Sequence, residues 1–218
     1  MYFNSALIQH YVFCNEDYIL KNSLKDSHVK GLHSIALADT GNGRMMRMFI
    51  SQPNGALAIK SFNHMQATMP VAIHNHRRDL TLQGIVGRMI NVNLEIDKPH
   101  AFDCIEEYSY VSPILAPSGK GGFQWTGNSV GMSVESKIPI TPSKSIFLPA
   151  NVYHTVYCEP NIWSAWLVLE GKDNPNYTGL SYSNAKLPVD QPVWSNQRFN
   201  DIQEIKELLD EAFIYNQK

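Results

Sequence analysis

VAIHNHRRDLTLQGIVG, residues 71–87, is the stretch on which the fold turns. It is a short apolar run with two histidines, His74 and His76, one residue apart, and it closes at Gly87. Side chains of an extended strand alternate faces, so residues two apart point the same way, about 7 Å from one another. Two imidazoles so placed can hold one cation at a Zn–N-like distance of about 2.1 Å. A third ligand has to come from another strand. PANVYHTVYC, residues 149–158, offers it in His154, five residues after Pro149 and at the start of a β-branched segment.

The flanking chain repeats this texture. Leu32 to Ser51 is a β-branched and aromatic run split by Thr40-Gly41-Asn42-Gly43, a hairpin signal. Short segments follow at Ala56–Phe62, Ile85–Ile96, Ser109–Leu115, Ser129–Ile138, Ser145–Pro149 and Ser164–Glu170, each bounded by Gly, Pro, Asn or Ser. Many short strands at such spacing predict an all-β sandwich or barrel rather than an alternating α/β sheet. Residues 1–31 read as an N-terminal extension with helical character, since Leu7, Ile8, Tyr11, Val12 and Phe13 recur at helical spacing. Residues 32–175 read as the barrel, with an insertion near 97–128 that contains the PSGKGG loop at 117–122. Residues 176–218 form a C-terminal segment, where Ile202, Ile205, Leu208, Leu209 and Phe213 define one face of a helix over 201–213, capped by Asn200 or Asp201.

Composition narrows the function classes. Eighteen Lys and Arg against 20 Asp and Glu give a net charge of −2, and charged residues make up 17% of the chain. A near-neutral chain without a basic run gains little from releasing counterions, so nucleic acid is not an expected partner. Cys14, Cys104 and Cys158 are scattered and include no CxxC pair, which suits a reducing compartment. The first 20 residues carry no Lys or Arg and are interrupted by Glu16 and Asp17, so they do not read as a signal peptide. No run of 18 uncharged apolar residues occurs, so no membrane partner is expected, and the chain reads as cytoplasmic.

The two histidine segments resemble the paired motifs of the cupins, whose fold is a double-stranded β-helix. The first cupin motif reads G-x5-H-x-H-x3-4-E-x6-G; His74, Asn75 and His76 match its H-x-H, and Gly87 stands at its closing glycine. The second reads G-x5-P-x-G-x2-H-x3-N; Pro149 and His154 match, with Ser143, Asn151 and Cys158 at its two glycines and its asparagine. Asn151 replaces a glycine plausibly in physical terms, because Asn tolerates a left-handed turn. The resemblance implies an all-β double-stranded β-helix (a cupin or jelly-roll barrel) and a divalent metal held by His74, His76 and His154. It departs at Leu80, where the motif has its acidic ligand; Asp79 and Gln83 are neighbours of the wrong parity.

A metal face of three histidines without a carboxylate is similar to the thiol dioxygenase branch of the cupins, which implies non-haem Fe(II), with Zn, Ni or Mn as alternatives. Such a set retains the ion's full charge, which favours an anionic, chelating small-molecule substrate. That branch sometimes carries a Cys–Tyr crosslink; Cys158 has the parity of His154, but no tyrosine stands at a matching position, and Cys158 reads first as a small buried hydrophobe. Arg78 shares parity with His74 and His76 and offers a bidentate clamp for a substrate carboxylate, or else a solvated rim charge. Three functions stand open: a dioxygenase acting on a thiol, carboxylate or dicarbonyl; a metal-dependent isomerase or lyase; and a non-catalytic ligand-binding protein, for which Leu80 speaks. A homodimer is compatible with each. His10, His28, His33, His64 and His100 read as structural or surface residues.

Overall fold

The computed structural model describes residues 3–62, 71–97, 104–111, 122–174, 179–183 and 198–214. The chain opens with α1 (Ser5–Cys14) and α2 (Glu16–Asn22), then runs through β1 (Leu32–Gly41), β2 (Arg44–Ser51), β3 (Ile73–His74), β4 (Arg78–Val86) and β5 (Met89–Asp97). It continues with β6 (Cys104–Val111), β7 (Gly122–Ile140), β8 (Ser145–Leu148), β9 (Tyr153–Cys158), β10 (Ser164–Asp173) and β11 (Leu180–Ser183), and ends in α3 (Ile202–Ile214).

Two antiparallel sheets result, one in the order β1-β2-β10-β4-β8 and the other in the order β11-β3-β9-β5-β7-β6. The chain changes sheet repeatedly: β2, β4, β8 and β10 lie in the first, and β3, β5, β7 and β9 in the second. That interleaving is a double-stranded β-helix. Between the sheets lies an apolar core of Leu80, Leu82, Met89, Leu148, Cys158 and Trp166, joined by Phe49 and Val156. The parity argued for Cys158 therefore holds: the thiol points into the barrel and is fully buried.

Each sheet also has a covered back. The outer faces of β1, β2 and β10 carry Ile35, Leu37, Met46, Met48, Ile50 and Leu167, which pack against Ile8, Val12 and Ile19 of the N-terminal helices and Ile205, Leu208 and Phe213 of α3. The expected C-terminal helix is thus a docking element. Asp201 accepts the Glu204 N–H at 3.0 Å, supplying the cap. The second sheet curls into a closed ring, because β6 pairs with both β7 and β11. The ring encloses its own core of Ile73, Ile90, Val92, Leu94, Ile105, Met132 and Tyr182. Within the expected insertion near 97–128, residues 104–111 and 122–128 belong to β6 and β7 and build this ring; residues 117–121 of the PSGKGG loop lie outside the described residues.

The motif glycine is explained locally. Gly87 turns the chain from β4 into β5 at φ +62°, and a Cβ there would fall 1.9 Å from the Trp163 carbonyl oxygen. The second motif behaves otherwise than expected. Ser143, not Asn151, takes the left-handed conformation, at φ +66°. Pro149 to Val152 form an ordinary turn closed by Val152 N–H to Pro149 O at 3.1 Å, a geometry that asks nothing special of Asn151.

Candidate metal centre

His74 and His154 face each other directly across the β3–β9 pair. His76 reaches them by another route. β3 ends at His74, two residues before His76, yet the two rings still come together on one side of the chain. After His74 the chain crosses towards β4. Asn75 fixes that crossing by exchanging two bonds with Leu180 of β11: its N–H donates to the Leu180 carbonyl at 3.2 Å, and its Oδ1 accepts the Leu180 N–H at 2.8 Å. His76 then anchors its own N–H on the Ala150 carbonyl at 3.0 Å.

The three rings meet at one end of the space between the sheets. Their centroids are 4.7 Å (His74–His76), 4.8 Å (His74–His154) and 5.0 Å (His76–His154) apart. One ring nitrogen from each lies within 4.8 Å of the others. Nitrogens sharing an ion at about 2.1 Å in a tetrahedral or facial arrangement are about 3.0–3.4 Å apart, so the widest pair has to close by more than about an ångström on binding. The closest pair, His76 Nε2 and His154 Nε2, stand 2.8 Å apart. Two lone pairs do not face each other at that distance, so a proton or a cation has to lie between them.

The protein prepares these imidazoles in two ways. Burial lowers the pKa of all three, with neighbouring imidazoles adding to the effect for His76 and His154, so each ring is held neutral, with one N–H and one free lone pair. The far nitrogens are engaged: His74 Nδ1–H donates to the Ala72 carbonyl at 2.8 Å, and His154 Nδ1 meets Asn91 Oδ1 at 2.7 Å. Outer partners of this kind orient metal-binding histidines. Asn91 is fully buried on β5 and escaped the sequence reading. Its signal was an amide inside the apolar run MINVNL.

No carboxylate joins the cluster among the described residues. Leu80, at the acidic position of the motif, is 5% exposed and packs in the inter-sheet core. Asp79 Oδ1 accepts the Ala150 N–H at 2.9 Å. Gln83 sits on the outer face, exchanging bonds with the backbone of Phe3. Neither is placed to supply a fourth ligand.

Arg78 faces acids rather than an open site: its Nε is 3.8 Å from Glu170 Oε2 and 3.8 Å from Asp173 Oδ1. A different arginine, unmarked by any motif, lies part-buried on the barrel side of its sheet. Arg47 shares the inward face of β2 with Phe49 and donates to Ser34 Oγ at 3.2 Å and Met45 Sδ at 3.2 Å. Burial draws its pKa down against the opposing pull of Glu170, and among the described residues no carboxylate oxygen comes within 4.0 Å of it. Beside it is His28, the one histidine the N-terminal extension sends into the barrel. Its ring lies 6.0 Å from Phe49, which stacks on Trp166 at 5.7 Å. Enclosure, then the nearby His74 and Arg47, push its pKa down to about 3. His64 and His100 lie outside the described residues.

Interleaved strands, a glycine turn after the first histidine segment and three imidazoles at one end of the barrel together decide the architecture. The strand order is that of a double-stranded β-helix, the barrel of the cupins. No protein-family profile matches the chain, and no curated protein does. Solved structures similar to it include a sugar phosphate isomerase of the cupin superfamily from Silicibacter pomeroyi, at 14% identity and a TM-score of 0.34, over 65% of this chain and 60% of that one. Hydroquinone 1,2-dioxygenase PnpCD in complex with Cd2+ and 4-hydroxybenzonitrile matches at 13% identity and a TM-score of 0.39, over 76% of each chain. The polyketide cyclase RemF from Streptomyces resistomycificus matches at 15% identity and a TM-score of 0.31, over 88% of this chain and 87% of that one. The chain spans less than two thirds of the isomerase's length. Its fold rests on its own strand order rather than on these likenesses. Among the described residues no helix is long and apolar enough to cross a membrane.

Proposed function

We propose that this cupin binds a divalent metal, Fe(II) in the first place, through His74, His76 and His154, and acts as a non-haem dioxygenase on a small anionic chelating substrate. The observation that carries the reading is the 2.8 Å approach of two imidazole nitrogens with a third imidazole beside them, all three held neutral by burial. The donor set is chemically suited to such an ion: neutral imidazoles, no carboxylate among the described residues, and Nδ1 anchors on two of the three rings. When bound, the ion supplies an electrophilic centre with open positions for a chelating substrate and for O2.

The chain's own groups do the rest. His74, His76 and His154 hold the ion without neutralising it, so an anionic thiolate or carboxylate is drawn to it. Arg47 is the cation we assign to the substrate's second anionic group, since it is part-buried on the inward face of β2 and, among the described residues, no carboxylate oxygen lies within 4.0 Å of it, whereas the charge of Arg78 is already answered by Glu170 and Asp173. Phe49, Trp166 and the leucines at 80, 82 and 148 belong to the apolar core between the sheets.

The test is elemental analysis of untagged protein, beside a His74→Ala/His76→Ala control, followed by O2 uptake with small mercaptocarboxylates and diketones. Near-stoichiometric iron in the parent, none in the control, and substrate-dependent O2 uptake abolished by Fe(II) chelation is the expected result. Turnover without O2, with zinc or manganese bound, would transfer the same site to isomerase or lyase chemistry. Absence of metal after anaerobic Fe(II) reconstitution would overturn the reading and leave a ligand-binding protein.

A further inference from the structure

The search beyond the three histidines ends on the back of one of them. His154 Nδ1 is 2.7 Å from Asn91 Oδ1, and Asn91 Nδ2 in turn donates to Asn93 Oδ1 at 2.7 Å. Asn91 and Asn93 lie on the inward face of β5, the strand beside β9, and Asn93 stands directly opposite His154 in that pair. Asn91 is fully buried.

An amide has one end that accepts and one that donates, so its orientation dictates which proton an adjoining imidazole carries. With Oδ1 towards His154, Asn91 requires Nδ1–H and leaves Nε2 with a lone pair. Turning Asn91 alone would set its Oδ1 against Asn93 Oδ1, two acceptors face to face. The second amide therefore locks the first, and the first locks the ring. Nε2 is the atom that stands 2.8 Å from His76, on the side where the cation is expected.

We infer that Asn91, locked by Asn93, is a positioning residue that keeps His154 in the Nδ1–H tautomer and so presents Nε2 to the site. The inference rests on the metal-binding reading for its consequence, but the tautomer itself exists in the metal-free protein. Removing the lock is expected to weaken metal binding by about 10- to 100-fold, the usual effect of losing an outer partner of a ligating histidine.

The experiment combines two readouts. The 15N shifts of the His154 ring nitrogens in metal-free protein assign the tautomer, and competition against a chromophoric chelator gives the Zn(II) affinity. Asn91→Asp keeps an acceptor towards His154 and, with Asn93 turned to donate its Nδ2 to the carboxylate, is expected to hold the Nδ1–H tautomer and bind Zn(II) at least as tightly as the parent. Asn91→Leu and Asn93→Leu are expected to mix the tautomers and weaken Zn(II). If Asn91→Asp instead lost Zn(II) with Nε2 protonated in the parent, the two amides would be turned together and the inference would be overturned. Unchanged tautomer and affinity in both leucine variants would overturn it as well. His154→Ala separates the two claims: Zn(II) binding that survives it refutes the metal-binding reading, while the tautomer assignment in the parent still decides the inference.

Discussion

His28 gives the sharpest test of how the barrel treats charge. Its Nδ1 is sealed from solvent, and its pKa is pushed down to about 3 from an ordinary value of 6.5, first by enclosure and then by His74 and Arg47. The sign follows directly. The folded state disfavours the proton, the unfolded chain accepts it below 6.5, and stability present above that pH drains away as the pH falls towards 3. Between pH 7.5 and pH 5.0 the unfolded chain gains about 2 kcal/mol from protonating this one group, while the folded protein gains almost nothing. The substitution to use is His28→Asn, because residue 28 sits at φ +70° and asparagine adopts that conformation more readily than most residues. Denaturant unfolding at both pH values gives four stabilities. The parent is expected to lose more on acidification than the variant, by about 2 kcal/mol; His33, His74, His76 and His154, also shifted down mainly by burial, remain in both proteins. An equal pH dependence in the two proteins would show that His28 is not enclosed and remove it from the wall of the site.

Other substitutions probe separate links. Gly87→Ala sets a Cβ against the Trp163 carbonyl at 1.9 Å in a left-handed position, so a loss of at least about 2 kcal/mol in unfolding free energy is expected; a change within about 0.5 kcal/mol would mean the turn can relax. Arg47→Met is expected to raise the Kd of a mercaptocarboxylate for the Zn(II)-loaded protein by about tenfold or more in calorimetry, with Arg78→Met leaving it nearly unchanged; the reverse order would return the clamp to Arg78. Burial pushes the Cys158 thiol up to about 12, so a thiol reagent at pH 8 is expected to label the exposed Cys14 and spare Cys158 until unfolding, as peptide mapping would report. Prompt labelling of Cys158 in folded protein would contradict its place in the core.

Much of the architecture was legible because it is written in local patterns. Short bounded strands, the Gly87 turn and the apolar stripe of α3 need only alternation, left-handed φ and helical spacing to be read. His154 could be paired with the first histidine segment by spacing, and the rings of His74 and His76 do come together, 4.7 Å apart. What spacing does not give is the anchor between them: Asn75 is tied to β11, a partner about a hundred residues distant. Arg47, His28 and Asn91 were missed for a related reason. Each reaches the barrel from an element that no motif marks, and a one-dimensional pattern gives the face of a strand but not what it will face. The segment near 97–128 looked like an excursion because ring closure depends on β6 meeting β11, a pairing without local signature.

The sheet that carries the candidate site is a party wall. On β5, Met89, Asn91 and Asn93 look into one chamber while Ile90, Val92 and Leu94 look into the other; on β9, His154, Val156 and Cys158 share the first chamber and Tyr153 and Tyr157 the second. Alternate letters of the same few strands thus answer to different tenants. Mutational drift on one side can rewrite chemistry while the residues on the other keep the wall standing, so this architecture allows a new substrate to be acquired without first rebuilding the scaffold.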